Sequence, residues 1–189
     1  FGTTGTIEYI YNAAGQKVEK IVTDYSVVTN TNYLGGFQYK DNVLQFFPTA
    51  EGYVKNEAGV LSYVFQYKDH LGNVRVSYAK NPITQVLEII EENNYYPFGL
   101  KHEGYNDYLP SNNKYKYNGK ELQDELGLEM YDFGARNYDP AIGRWMNIDP
   151  LGEQMRRHSP YNYAFNNPIY FIKTNSMSPD DWRAHSNVD

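Results

Sequence analysis

The sequence contains no cysteine, which excludes disulfide bonds, thiolate metal ligands and cysteine nucleophiles. It contains no apolar run of about 18 residues, the shortest length that predicts a membrane-spanning helix. Its 17 basic residues are outnumbered by 23 acidic ones, which gives a net charge of −6. Nucleic-acid-binding domains usually carry a basic stripe, so this charge argues against a nucleic-acid partner.

Tyrosine, asparagine and glycine are abundant instead. Tyrosine supplies 20 of the 31 aromatic residues, and the chain also has 20 asparagines and 15 glycines. Tyrosine suits half-buried strands, whereas asparagine and glycine suit the positive-φ turns that join strands. The composition therefore predicts an all-β fold with many tight turns, and 189 residues are enough for one or two modest domains.

Hairpin patterns recur along the first half of the chain. Tyr9–Val18 reads as a strand, a turn built on Asn12 and Gly15, and a return strand. Tyr67–Val74 has a similar pattern with Asp69 and Gly72 in the turn. One hairpin cannot bury its own face, so repeated hairpins predict a sheet that grows hairpin by hairpin.

Aromatic residues alternate with polar ones over Tyr33–Tyr53, around the pair Gly35-Gly36. We interpret this stretch as two strands with a β-bulge at the glycines. The alternative is an aromatic shelf that binds sugars, which aromatic residues at this period form less often than a core. Further along, Glu121–Glu125 is predicted to form a helical turn that ends at Gly127.

The stretch Tyr117–Gly152, which we call the core block, contains two Asp-Pro steps, Asp139-Pro140 and Asp149-Pro150. In such turns proline fixes the first corner, aspartate bonds the backbone ahead, and glycine allows a left-handed exit. Short aromatic-rich segments at 128–132, 135–138 and 144–148 lie between the turns. The core block is therefore predicted to be a β-meander, with one hairpin closed by Asp139–Gly143.

The run GLEMYDFGARNYDPAIGRWMNIDPLGEQ, residues 127–154, resembles the Rhs repeat-associated core domain of Rhs/YD-repeat proteins, in the variant of Bacteroidetes-type bacteria. The motif residues are Tyr131, Asp132, Gly134, Arg136, Tyr138, Asp139, Pro140, Gly143, Arg144, Trp145, Pro150 and Gly152. The resemblance implies three regions: a YD-repeat β-hairpin shell segment (1–62), the core domain as a plug (63–177), and a separate C-terminal region (178–189). A short helix is predicted to begin at Ser178, which is followed by proline and two aspartates.

The same resemblance implies an aspartyl autoprotease made from two Asp-Pro-x-Gly motifs. Two nearby carboxylates share one proton, so that one acts as base and the other as acid. Asp149 matches the first motif, but the partner position is occupied by Lys173, followed by Thr174 and Ser176 in place of proline and glycine. We therefore expect that the chain does not cut itself after Met177, the implied cleavage position.

Other chemistry has little support in the sequence. The four histidines show no ligand spacing, so neither a metal site nor a cofactor is predicted. Arg136 and Arg144 lie close in sequence to three aspartates (Asp132, Asp139 and Asp149). We interpret these charges as ion pairs that fix the meander.

Three functions follow from these features. The first is a structural one: the C-terminal part of a shell that encapsulates and presents an effector toxin for export or competition between bacteria. Its partners would be the rest of the shell, the effector and a secretion apparatus, and it would be secreted or on the cell surface. The second is a working aspartyl autoprotease that releases the C-terminal region. The third is a surface adhesin or carbohydrate-binding repeat protein, which an exposed aromatic row would favour.

Overall fold

A computed structural model describes residues 5–103, 113–173 and 182–184. Its strands are β1 Thr6–Tyr11, β2 Lys17–Asp24, β3 Val27–Leu34, β4 Phe37–Lys40, β5 Val43–Thr49, β6 Gly52–Glu57, β7 Val60–Lys68, β8 Val74–Lys80, β9 Leu87–Glu92, β10 Glu121–Gln123, β11 Met130–Asp132, β12 Asn137–Asp139, β13 Arg144–Trp145, β14 Phe171–Lys173 and β15 Trp182–Ala184. Its helical segments are 3₁₀ turns at Tyr117–Gly119, Glu125–Gly127, Gly152–Met155 and Ala164–Asn166. The predicted all-β class is confirmed.

Strands β1 to β9 form one antiparallel sheet in which spatial order equals sequence order. The predicted hairpin turns are confirmed. The Oδ1 atom of Asn12 accepts the backbone N–H groups of Ala14 and Gln16, each at 3.0 Å. The Oδ1 atom of Asp69 accepts those of Leu71 and Asn73, also at 3.0 Å. One short polar side chain therefore closes each turn, as local turn chemistry predicts.

The predicted bulge at Gly35-Gly36 is wrong. These glycines are the two-residue turn between β3 and β4, with Leu34 paired to Phe37 on either side. Their φ angles are +56° and +92°, as in a type I′ hairpin turn, which needs positive φ at both corners and matches the twist of the strands. A bulge does occur nearby, but it interrupts the pairing of β4 with β5 between Gln38 and Tyr39.

The sheet has two different faces. On the inner face, Phe46, Tyr53, Val64 and Ala79 form a buried cluster against which Tyr115 packs. Tyr115 lies close before the core block, so this face contacts the C-terminal half of the chain. The opposite face is open over β7, where side chains alternate between the two sides as the pleat of a strand requires.

The core block contains the four-stranded antiparallel meander β10–β11–β12–β13, followed by the turn at Asp149. In the predicted hairpin, the N–H of Gly143 donates to the carbonyl oxygen of Asp139 at 3.0 Å. The N–H of Ala141 donates to the Oδ1 atom of Asp139 at 2.8 Å. The meander and this hairpin are confirmed, although the strands are shorter than predicted.

The predicted helical turn over Glu121–Glu125 is wrong in its first part. Glu121 to Gln123 form strand β10, which pairs with β11, and a 3₁₀ turn follows only at Glu125–Gly127. The cause is tertiary, because the backbone of this segment pairs with β11 while its side chains contact lysines on the sheet. Such contacts override a weak local helix preference.

The end of the described chain also differs from the prediction. Residues 174–181, where the helix was predicted to begin, lie outside the described residues. Trp182–Ala184 is a strand that pairs antiparallel with Phe171–Lys173, so a helix there is wrong. The strand partner supplies backbone hydrogen bonds that the capping signal at Ser178 could not anticipate. Within the described ranges, no helix is long and apolar enough to cross a membrane.

Candidate functional site

The core block is built on a cluster of buried aromatic rings. Tyr131 lies opposite Tyr138, and Tyr138 lies opposite Trp145, so all three side chains share one face of the meander. Tyr163 stacks on Tyr138 with ring centroids 4.0 Å apart, and Phe133 meets Trp145 edge to face at 5.0 Å. Each of these rings is at most 5 % exposed. The cluster is a rigid core beneath the Asp149 turn.

Two tyrosine hydroxyl groups form hydrogen bonds that join the segment at Pro97 and Phe98 to this core. The hydroxyl of Tyr138 donates to the carbonyl oxygen of Phe98 at 2.7 Å. That of Tyr117 donates to the carbonyl oxygen of Pro97 at 3.1 Å. Burial raises the pKa of Tyr117 to about 12 and that of Tyr138 further. Both groups therefore remain protonated donors at neutral pH.

Asp149, the predicted catalytic residue, forms an ion pair with Arg136. The Nη2 atom of Arg136 donates to the Oδ2 atom of Asp149 at 2.8 Å, while the N–H of Leu151 donates to Oδ1 at 3.0 Å. The guanidinium of Arg136 lies over the Trp145 ring, 4.3 Å from its centroid. The predicted ion pair is therefore confirmed for Arg136, whereas the one predicted for Arg144 is wrong, because Arg144 donates to the side-chain oxygen of Asn166 instead.

Asp149 also lines a cavity of about 20 Å³, roughly the size of one water molecule. The other lining residues are Gly152, Met155, His158, Ser159, Pro160 and Asn162. This lining supplies no second carboxylate among the described residues. The side chain of Lys173, residues 174–176 and the implied cleavage position Met177 lie outside the described part of the chain. The catalytic assignment of Asp149 therefore stays a prediction.

The remaining motif residues shape the meander. Asp132 lies in β11 and Asp139 closes the hairpin with Pro140 at its corner. Gly134 and Gly143 have positive φ angles of 91° and 65°. A Cβ on Gly143 would lie 2.8 Å from the Phe98 ring, so only glycine fits there. Arg144 donates to the side-chain oxygen of Asn166 at 3.1 Å, and Gly152 lies against Pro160. Pro150 follows Asp149 in the turn.

A network of buried charges joins the first hairpin to the core block; we call it the docking network. The Nζ atom of Lys17 lies 2.6 Å from both Glu121 and Asp132. The Nζ atom of Lys20 lies 3.2 Å from Glu121 and also pairs with Glu125. Side chains of Lys20 and Glu121 are 2 % and 3 % exposed. The network therefore holds the block on the inner face of the sheet through charges screened little by water.

The pKa shifts of Glu121 and Lys17 agree with both groups being ionised. Burial alone would raise the pKa of Glu121, but Lys17 and Lys20 together lower it below its ordinary value. Burial would likewise lower the pKa of Lys17, but Glu121 and Asp132 raise it. Tyr33 adds a hydrogen bond from its hydroxyl to the Oε1 atom of Glu121 at 2.8 Å.

The sequence analysis missed this network because its partners lie more than 100 residues apart. One local signal was present. Lys20 shares a strand face with Val22, and Val22 is a buried position of that face. A lysine in phase with a buried valine indicates that a carboxylate lies opposite.

The open face of the sheet carries an exposed aromatic row on β7 and β8. Tyr63, Phe65 and Tyr67 are 64 %, 37 % and 65 % exposed. Tyr78 on β8 contacts both Phe65 and Tyr67, with ring centroids 5.5 Å and 5.4 Å apart. Exposed apolar surface of this kind marks interaction sites more often than isolated apolar residues do. Among the described residues, no group of three histidines or carboxylates could hold a metal ion.

Comparison with known proteins points to toxin complexes. No family model matches the chain. It is 27 % identical over 186 residues to salivary gland surface protein 1 of Aedes aegypti. This match covers 87 % of this chain and 5 % of that protein. It is 39 % identical over 67 residues to toxin subunit YenC2 of Yersinia entomophaga, covering 35 % of this chain and 6 % of YenC2. Toxin subunit YenC1 of the same organism is 32 % identical over 94 residues, covering 49 % of this chain and 9 % of that subunit.

Solved structures support the same fold. The crystal structure of TcdB2-TccC3 superimposes with a TM-score of 0.66 and 20 % identity, over 90 % of this chain and 9 % of that one. The version without the hypervariable C-terminal region gives a TM-score of 0.64. The chain spans less than a tenth of the length of these relatives and structures. The likeness is consistent with the predicted Rhs/YD-type shell and shows that this chain has the fold of part of a toxin complex.

Proposed function

We propose that this chain is the C-terminal part of an Rhs/YD-repeat shell, of the Bacteroidetes-type variant, that encapsulates and presents a C-terminal effector. The observation that supports it best is the docking network, by which Lys17 and Lys20 of the sheet hold Glu121 of the core block. In this proposal the core block, held on the inner face of the sheet, is the plug of the shell. The sheet has free edges at β1 and β9 among the described residues, where further strands of the shell would pair.

The partners in this proposal are the remainder of the shell, a C-terminal effector toxin and a secretion apparatus. Secretion or display at the cell surface follows from the same resemblance, since the relatives include toxin subunits and a salivary gland surface protein. The biological role is delivery of the effector in competition between bacteria. In this scheme the core domain, residues 63–177, begins within β7 and contributes β7 to β9 to the shell sheet. Its later part, the core block, is the plug, and residues 178–189 begin the region that is delivered.

We assign Asp149 a structural role within this proposal. A shared-proton dyad requires two carboxylates, whereas Asp149 is bound to the guanidinium of Arg136 at 2.8 Å. With lysine at the implied partner position 173, the site would hold two cations and one carboxylate. Self-cleavage after Met177 is therefore expected to be lost.

The test is the intact mass of the purified full-length protein, with and without Asp149→Asn. We expect one uncut species in both samples, because the second carboxylate is missing. We also expect added protease to leave the region after Met177 intact while the shell is folded, and to degrade it after denaturation. Asp139→Asn is the matched control, since Asp139 also precedes proline but closes the hairpin turn.

Two results would contradict the proposal. A break after Met177 that disappears with Asp149→Asn but not with Asp139→Asn would establish the alternative, an aspartyl autoprotease that releases the C-terminal region. Rapid proteolysis of the region after Met177 in the folded protein would show that the shell does not encapsulate this region.

A second candidate function is supported by the exposed aromatic row. Tyr63, Phe65 and Tyr67 would then bind a carbohydrate at a cell surface, as an adhesin does. We expect Tyr63→Ala with Tyr67→Ala to lower the retention of the protein in affinity electrophoresis with a soluble glucan at least tenfold. The control is Val60→Ala with Leu61→Ala, since these β7 side chains are also exposed but offer no ring. Equal retention of both variants and the wild type would exclude this function.

A further inference from the structure

A cavity of about 410 Å³ lies between the inner face of the sheet and the segment Glu121–Glu125 of the core block. Small-molecule sites in proteins typically occupy about 300 to 1,000 Å³, so this volume is large enough for a ligand. Its walls include Lys20, Thr31, Gln38, Phe46, Glu121 and Glu125. The space is not explained by the docking role of the network beside it.

Two buried oxygen atoms in the lining lack hydrogen-bond donors within the described part of the chain. They are the Oε1 atom of Gln38 and the Oε2 atom of Glu125. Gln38 is only 7 % exposed, so bulk water does not reach most of its side chain. A buried acceptor without a donor is costly, and such atoms in native proteins usually have a partner.

Lys20, the buried cation of the lining, has no proton left for these two oxygen atoms. The Nζ atom of Lys20 has three protons, and it already contacts Glu121 at 3.2 Å, Gln123 at 3.1 Å and the other oxygen of Glu125. The cavity therefore presents acceptors whose donors must come from another molecule.

The charge of the surrounding cluster favours a cation. The docking network contains two lysines, Lys17 and Lys20, and three carboxylates, Glu121, Glu125 and Asp132, which leaves one negative charge. Two further lysines line the cavity. Lys114 is already paired with Asp124, and the side chain of Lys40 is exposed to water. The buried part of the cavity is therefore acidic.

The aromatic ring in the wall of the cavity favours one kind of cation over others. Phe46 lines the cavity and is 4 % exposed. A guanidinium group is planar, stacks on aromatic rings and spreads five donors over several acceptors, whereas an ammonium group is compact. We propose that this cavity binds a guanidinium group, as presented by an arginine side chain of a peptide partner. Gln38 and Glu125 accept its hydrogen bonds beside the ring of Phe46.

The test is isothermal titration calorimetry of the full-length protein with N-acetyl-L-arginine amide. The matched probe is N-acetyl-L-citrulline amide, which has nearly the same shape without the charge. We expect saturable binding of the arginine probe and at least tenfold weaker binding of the citrulline probe. Equal affinities, or heats that never saturate, would overturn the proposal and leave water as the occupant.

Three variants locate the site. Gln38→Leu and Glu125→Gln are each expected to weaken binding of the arginine probe at least tenfold, since each removes one of the two acceptors or its charge. Gln45→Leu is the control, because Gln45 lines the cavity but already donates to the carbonyl oxygen of Val43 at 3.0 Å. Unchanged affinity in both test variants, with melting curves that show folded protein, would place any binding elsewhere. If Gln38→Leu does not fold, Glu125→Gln and the comparison of the two probes still decide the question.

Discussion

Replacing Trp145 with alanine is expected to loosen the core block by about 4 kcal/mol, the middle of the range for removing a buried tryptophan. Trp145 is 1 % exposed and touches Phe133, Tyr138 and Tyr163 edge to face. The substitution removes these contacts and leaves a cavity that the rigid meander cannot fill. It also removes the ring beneath the guanidinium of Arg136.

Hydrogen–deuterium exchange measured by mass spectrometry is the suitable assay, because it reports the opening of the core block separately from the unfolding of other parts of the chain. Backbone amides of Met130–Asp132 and Asn137–Asp139 should exchange roughly a thousandfold faster, since each 1.4 kcal/mol corresponds to a factor of ten. Trp145→Phe should give a much smaller increase because it keeps an aromatic ring. Tyr161→Ala serves as the control, since Tyr161 is 39 % exposed. Unchanged exchange in Trp145→Ala would mean that the aromatic cluster does not stabilise the block.

The elements that could be predicted from the sequence are those whose chemistry is local. The turns at Asn12, Asp69 and Asp139 each use a side-chain oxygen that accepts N–H groups two to four residues ahead. Such a turn needs only the identity and spacing of neighbouring residues. An ion pair of Arg136 was predictable for a related reason, because Arg136 and Asp149 lie 13 residues apart in the same core block.

The elements that could not be predicted depend on distant partners. The segment at Glu121 resembles a helical turn, yet it is a strand because β11 pairs with it. The segment at Trp182 resembles the first turn of a helix, yet it pairs with Phe171–Lys173. Lys20 alternates with the buried Val22 along β2, but neither this pattern nor the context of Lys17 identifies the carboxylates that pair with the two lysines. In each case the deciding interaction comes from residues that no local pattern identifies.

Replacing Glu121 with glutamine is expected to weaken docking of the core block by about 3 kcal/mol, the lower end of the range for breaking a buried ion pair. Glu121 accepts from Lys17, Lys20 and Tyr33, and it is 3 % exposed. Without the charge of Glu121, Lys17 keeps only Asp132 and Lys20 keeps only Glu125 as a carboxylate partner in the docking network. The effect should be measurable as a lower midpoint of thermal unfolding followed by tyrosine fluorescence. The control is Glu57→Gln, because Glu57 is 63 % exposed in its pair with Lys55 and should show little change.

The pH dependence of stability provides an independent test of the role of Glu121. The pKa of Glu121 in the folded chain is lowered from 4.5, so its stabilisation is complete above about pH 4.5 and is lost as the pH falls through the folded value. The pKa of Lys17 is raised from 10.5, so its stabilisation is complete below that value and is lost only at higher pH. Docking is therefore expected to be strongest across the neutral range.

Wild-type protein should lose thermal stability as the pH falls from about 5 towards 3, and Glu121→Gln should lose less over this interval because the titrating group is gone. The two unfolding midpoints should accordingly converge at acid pH and differ most near neutral pH. A constant difference between them at every pH would mean that Glu121 stabilises the block by its shape and hydrogen bonds rather than by its charge. In that case the lysines of the first hairpin would not be what holds the core block on the sheet.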